Sequence, residues 1–382
     1  MNFNPKLFNL KILSILLFCL SQILVNAYCY EGFSKNPGTR AMAMAGVFSA
    51  QADDSSSIWY NPGSLTYYDY ILSDITLEFG QRTVADYDVA STSDNIYHNT
   101  SNDSVLTYFG AYMRKVPFIN TSNTLGIGIS YYSPYKLLID VNAPRSKSDN
   151  STYGYIDAKY HQLSTLISNQ LNSNLSVGGT VDFIWTDIQC IEFDPCTDYG
   201  PVAWGVSLGS LYEVFSNKAA SLKLSGTWHS AAKTRYQTTP ISGIGTVIND
   251  FLPDRPNLFG MGASLQTSTQ WSLINTNIIY ETIDWASAIK DGKHVSRYHN
   301  VGLAFEFLSK IKSSNTLALR SGAKLMHAAN NNASDVLVAA IGFGYEYQKT
   351  QIIDFAYEYR RFNGIEENTS NITLSYAWQI SR

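Results

Sequence analysis

An all-β fold, a transmembrane antiparallel β-barrel of about 14 strands with an N-terminal segment inside its lumen, follows from three observations. From about residue 71 onward apolar side chains recur at every second position, the mark of strands with unlike faces. No stretch of the mature chain approaches the length of a membrane-spanning helix, so a membrane location requires a closed barrel, the other structure that satisfies every backbone group in lipid. The connections between the periodic runs alternate between long and short, as the outer and inner turns of such a barrel do.

The chain begins with Lys6 and Lys11 and no acid, followed by an apolar run from Ile12 to about Val25 that closes on Val25-Asn26-Ala27. A basic start, a short apolar run and small residues at its end predict a cleavable signal peptide over 1–27. Ser14, Ser21 and Gln22 interrupt the run, whereas an anchor needs about 18 apolar residues. Tyr28 before Cys29 disfavours a lipoprotein, and Cys29 has no assignable role. Cleavage removes two lysines and takes the formal net charge from −4 to −6, which offers no basic face to nucleic acid. Charged residues are 15% of the chain, against about 25% in soluble domains, and Tyr alone occurs 26 times. Cys190 and Cys196 have no histidine near them to suggest a metal site, and in an oxidising compartment they read as a disulfide across a surface loop. Nothing in the sequence calls for a cofactor.

The barrel is expected over 71–382. Its clearest strands place Ile353, Phe355, Tyr357 and Tyr359 against Asp354, Ala356, Glu358 and Arg360, and Ile372, Leu374 and Tyr376 against Thr373, Ser375 and Ala377. One face is apolar with Tyr and Trp at its ends, as a lipid-facing girdle is. The other holds small and charged residues, as a lumen does. Long polar links are expected at 84–102, 137–154, 189–199, 238–255 and 286–296, with short turns such as Asn172-Ser173 and Lys349-Thr350 at the opposite, periplasmic end. Residues 28–70 are rich in Ala, Gly and Ser, lack the period, and could fold into the lumen as a plug.

Two runs give this segment a family likeness. Gly38-Thr39-Arg40-Ala41-Met42-Ala43-Met44-Ala45-Gly46, then Ala52-Asp53-Asp54 through Trp59-Tyr60-Asn61-Pro62-Gly63-Ser64-Leu65, resemble the hatch of the long-chain fatty acid transporter family (FadL-like). Ala203-Trp204-Gly205 through Gly226-Thr227-Trp228-His229, and Gln270-Trp271-Ser272-Leu273 through Trp285, are similar to its mid-barrel strands. Ala45 stands where the family usually has Gly, and Gly63 where it has Ala.

The resemblance implies a bacterial outer-membrane protein, not an enzyme, that passively transports hydrophobic molecules such as long-chain fatty acids through a plugged barrel with a lateral exit. Its implied partners are the hydrophobic ligand, outer-membrane lipid and lipopolysaccharide, and the barrel-assembly machinery during insertion. Asp53 and Asp54 are expected to latch the hatch by accepting backbone donors or pairing with Arg40, Arg320 or Lys324, and Asn61-Pro62 to form a turn or hinge at its end. Met42, Met44, Phe48 and Trp59 are candidate pocket-lining residues, with packing against the wall as the alternative. Gly126 and Gly128 in the third strand are candidates for a kink that opens the wall. Residues 240–252 read as an apolar external loop where ligand lands. A related barrel serving as a secretion or partner scaffold is the rival reading. A barrel-wall hydrolase is disfavoured, because His229 and Ser230 are strand neighbours that point to opposite faces.

Overall fold

The computed structural model describes residues 37–65, 70–88, 96–117, 124–132, 136–144, 151–191, 198–199, 202–232, 255–284, 297–312, 314–329, 335–348, 350–362 and 368–381. The expected signal peptide, Cys29, Cys196, the side chain of Cys190 and the apolar loop at 240–252 lie outside the described residues.

The strands are β1 (Tyr70–Asp88), β2 (Ile96–Pro117), β3 (Thr124–Tyr132), β4 (Lys136–Pro144), β5 (Ser151–Gln170), β6 (Leu175–Ile191), β7 (Asp198–Tyr199) and β8 (Ala203–Ser216). They continue with β9 (Ala220–His229), β10 (Asn257–Ser268), β11 (Ser272–Asp284), β12 (Arg297–Lys312), β13 (Asn315–Ala328), β14 (Val336–Tyr347), β15 (Gln351–Phe362) and β16 (Asn368–Ser381). All sixteen belong to one sheet. From β8 to β16 each strand is antiparallel to the next, and β16 returns to β1 from Tyr70↔Ser381 to Gly80↔Asn371. The other side runs from β1 to β2, β3, β5, β6 and β8, so the sheet closes on itself. Closure removes the free edge that lipid would not tolerate.

The periodicity predicts about fourteen strands, and the described residues add two short ones, β4 and β7. Strand β4 pairs with β5 and, in parallel, with Val84–Asp88 of β1. The expected links at 84–102 and 137–154 are largely strand, with β1 reaching Asp88 and β2 starting at Ile96, and β6 extends to Ile191 into the link expected at 189–199. The reason is physical. Backbone pairing between strands does not require apolar alternation, so strands can extend past the runs that alternate.

Along the described strands the usual burial order is inverted. Ile341, Val301, Ile278, Leu319 and Trp204 are among the most exposed side chains, whereas Glu306, Glu358, Asn300, Asp182 and Thr373 are buried. In β16 exposed Ile372 and Leu374 alternate with buried Thr373 and Ser375, as the periodicity predicts. The exposed face suits hydrocarbon and the buried face is a polar lumen. Ile341 is 61% exposed in the middle of β14. Ile341→Arg is expected to cost about 2–4 kcal/mol in urea unfolding from liposomes, the range for a charge facing the bilayer midplane. An unchanged unfolding midpoint would mean that this face does not meet lipid.

Candidate functional site

The described N-terminal segment, residues 37–65, carries two single-turn helices, α1 (Thr39–Met42) and α2 (Ser57–Tyr60). After α1 the chain reverses through Ala45 at φ 55° and Gly46 at φ 74°, with Gly46 N–H donating to Ala41 O at 2.9 Å. A side chain at positive φ is strained by about 1–2 kcal/mol, which accounts for the glycine usual at this position in the family it resembles. Ala45→Gly should therefore raise thermal stability by roughly 1 kcal/mol, read as a higher temperature of heat-modifiable gel migration. No change would mean that the turn is relaxed around Ala45.

Apolar packing sets this segment against the inner wall. Ala41, Met44, Val47, Phe48, Ala52 and Tyr60 form one buried cluster with Ile279 and Ala304, and Met42 and Ala43 form another with Ala356. Close approach is possible because the wall presents glycine where the segment touches it. A Cβ on Gly322 would collide with the Met44 backbone, on Gly302 with Val47, on Gly342 with Ala43, and on Gly178 with the Pro62 carbonyl. Met42, Met44 and Phe48 are fully buried in this packing, so among the expected pocket residues these three are seam-fillers. Phe48 also meets Tyr60 edge-on at 5.7 Å and lies beneath the Arg40 guanidinium.

Polar contacts fix the register of segment on wall. Arg40 reaches Asp53 at 2.5 Å and grips Glu306 of β12 through two nitrogens, both at 2.8 Å. Glu306, wholly buried, also accepts from Arg320 at 2.7 Å, from Asn275 at 2.8 Å and from Gln51. Arg320 continues to Asp354 at 2.5 Å. Asp54 instead caps its own chain, accepting from the Ser56 N–H at 2.8 Å and the Ser56 hydroxyl. At the other end the Asn61 amide donates to Ser49 O and to Ser210 O of β8, both at 3.0 Å, and its oxygen accepts from Gly63 N. Asn61-Pro62 is thus a turn clamped to the wall. A polar cavity of about 190 Å³ lies beside Arg40, lined by Asp53, Asp54, Glu306, Arg320, Asp354 and residues toward the short turns, such as Thr316 and Glu346.

Among the described aromatic residues of the segment, Trp59 is the one only partly buried. Its indole lies between Tyr132 of β3 at 5.7 Å and His229 of β9 at 5.3 Å, with Ile58, Leu65 and Leu166 packed beside it. His229 faces the lumen and meets the Ser207 hydroxyl at 3.0 Å, while Ser230 Oγ accepts from Val206 N at 2.9 Å. The sequence neighbours His229 and Ser230 are therefore engaged separately. Asp182 accepts from Ser207 at 2.8 Å and pairs with Arg255 at 2.6 Å. Arg255 and Asp182 were not singled out from sequence. Their signal was a lone acid in a small-residue strand face, which implies a buried counter-ion.

Gly126 and Gly128, where the opening is expected, lie in paired backbone. Both sit in unbroken antiparallel ladders, to β2 from Thr124 to Tyr132 and to β5 from Leu125 to Tyr132. A side chain on Gly126 would strike Leu65 and Ser168, so this glycine makes room for the N-terminal segment. The change of partner comes after Tyr132: β4 resumes beside β5 but pairs with β1 and not with β2.

Burial pushes the Asp54 carboxyl up to about 6, against the opposing pull of Arg40 and the Ser56 hydrogen bonds. A raised carboxyl stabilises the fold while protonated, and that contribution is lost as pH climbs from about 4 through about 6. Unfolding midpoints of the wild type should fall over this window more steeply than those of Asp54→Asn, which keeps the Ser56 cap. Parallel pH profiles would place the titration elsewhere. Removing one partner of the buried pair is harsher: Glu306→Ala leaves Arg40 and Arg320 facing each other and should cost about 3–5 kcal/mol, read as early protease cleavage within 37–65.

Comparison with known proteins accords with this geometry. A family model described as outer membrane protein transport protein (OMPP1/FadL/TodX) matches residues 21–236, more than half of the chain. The chain belongs to this family of outer-membrane transporters of hydrophobic compounds, whose members are channels of the bacterial outer membrane. Among solved structures it is similar to a Pseudomonas aeruginosa FadL homologue, with a TM-score of 0.56 at 12% identity over 91% of this chain and 99% of that one. It is also similar to the P. putida toluene transporter TodX, at 0.54 and 12% over 90% and 99%, and to the CymD monoaromatic hydrocarbon channel, at 0.53 and 12% over 93% and 99%. No curated protein matches it in sequence.

Proposed function

We propose that residues 28–70 form a hatch that plugs the barrel, and that the protein passively carries small aromatic hydrocarbons past it. The observation that carries this reading is the aromatic seam of Trp59, Tyr132 and His229, the one place on the described segment where a large apolar ring is left partly uncovered against the wall. Ring edges and faces in this arrangement suit another ring, at separations where aromatic pairs gain beyond simple burial. Long-chain fatty acids, the ligand first implied by the resemblance, fit less well. The described cavity beside Arg40 holds about 190 Å³ with its bases already spent on Asp53, Glu306 and Asp354, and the larger one, about 590 Å³, lies among the exposed side chains Ile167, Leu208, Trp228 and Phe259. Two of the similar structures are described as toluene and monoaromatic hydrocarbon carriers, which supports the same choice.

The same reading places the lateral exit beyond Tyr132. There β2, from Ile96 to Tyr108, keeps only β1 as a paired neighbour among the described residues. Cargo leaving through that flank would enter the bilayer without crossing the polar lumen. The test is uptake of radiolabelled toluene and oleate by cells that lack their own members of this family. Expression should raise toluene entry severalfold and leave oleate entry unchanged, and Trp59→Ala should remove most of the gain. Faster oleate entry would return the cargo to fatty acids. Entry of neither above the empty-vector rate would overturn the transport reading.

A further inference from the structure

We propose that the wall beneath Trp59 is a hydrogen-bonding site for a neutral hydroxyl carried on an aromatic ring, so that phenols are held in preference to the parent hydrocarbon. This rests on the transport reading above and narrows its cargo. The register places the relevant groups together: Gln162 is the cross-strand neighbour of Tyr132, Ser164 that of Asp182, and Thr180 that of Ser207, which pairs in turn with His229. Trp59, in contact with Tyr132 at one end and His229 at the other, spans this strip.

Two buried polar atoms in the strip have no hydrogen-bond partner: Gln162 Oε1 and Thr180 Oγ1. Their residues are 3% and 2% exposed. The Gln162 amide nitrogen already donates to Ser164 Oγ at 3.0 Å, which leaves its oxygen as an acceptor. The Thr180 hydroxyl can accept as well, so a donor satisfies both. A carboxylate cannot supply one at neutral pH, and it would face Asp182. The nearest base, Arg255, is engaged by Asp182 Oδ2, Ser230 O and Val206 O and offers no free charge to an anion. A buried acceptor left unpaired is costly, so a ligand that supplies its proton is selected over one of the same shape that does not. Entry requires Trp59 to swing aside, since the orphaned atoms are covered, and the ring that replaces it takes up the same aromatic contacts.

Equilibrium dialysis of the purified full-length protein against para-cresol, toluene and para-toluate tests the proposal. Para-cresol should bind about tenfold more tightly than toluene, and para-toluate more weakly than either. Gln162→Leu and Thr180→Val should each weaken para-cresol severalfold while leaving toluene unchanged, with heat-modifiable migration confirming that both variants fold. Toluene binding as tight as para-cresol, or variants that lower both ligands alike, would overturn the hydroxyl site and leave the transport reading intact. Binding of none of the three would overturn both.

Discussion

The placement of the whole N-terminal segment depends on one buried carboxylate. Glu306 is cut off from water and would be ruinously destabilising alone, yet it collects donors from Arg40 and Gln51 on the segment and from Asn275 and Arg320 on the wall. An ion in such surroundings is kept only when all its lone pairs are engaged. The segment supplies two of those donors, so the wall is incomplete without it. The geometry is also directional. The planar Arg40 fork meets both oxygens of Glu306, which fixes the orientation of α1 as well as its position. Asn61 performs the corresponding task at the other end with neutral hydrogen bonds.

Between these two clamps the contact is steric. Inward glycines on β12, β13 and β14 form a channel into which Val47, Met44 and Ala43 settle, and Gly178 and Gly209 receive Asn61-Pro62. Small residues on the lumen face therefore have two uses. They keep the barrel interior from filling with its own side chains, and they let backbone approach backbone. What remains uncovered is Trp59, at the far end of the segment from Glu306.

Much of the fold was legible because lipid imposes a harsh rule on every strand. Alternation in β6, β12, β15 and β16 predicted which residues would face out, and the structure puts them there. The extensions of β1 and β2 and the inserted β4 read as loops because their sequences, such as Leu137-Leu138-Ile139 in β4, do not alternate strictly. The segment was recognisable by its run of motifs, and an Arg40–Asp53 pair was among the options for its latch. Glu306 was not singled out. Period two tells which face a residue occupies but not which point of the circumference it reaches, and its partner lies 266 residues away. Gly126 shows the same limit: a glycine in a strand can mean a kink or a space, and only the position of Leu65 decides for space.

On the proposed function, hydrophobic cargo passes beside a latched hatch and not down an open aqueous lumen. Simultaneous recording of ion current and toluene flux across a planar bilayer containing the purified wild-type protein tests this directly. The predicted result is toluene flux above that of the bare bilayer with almost no ion current. A steady ohmic current of the size expected for an unplugged barrel, carried by the wild-type protein, would contradict it.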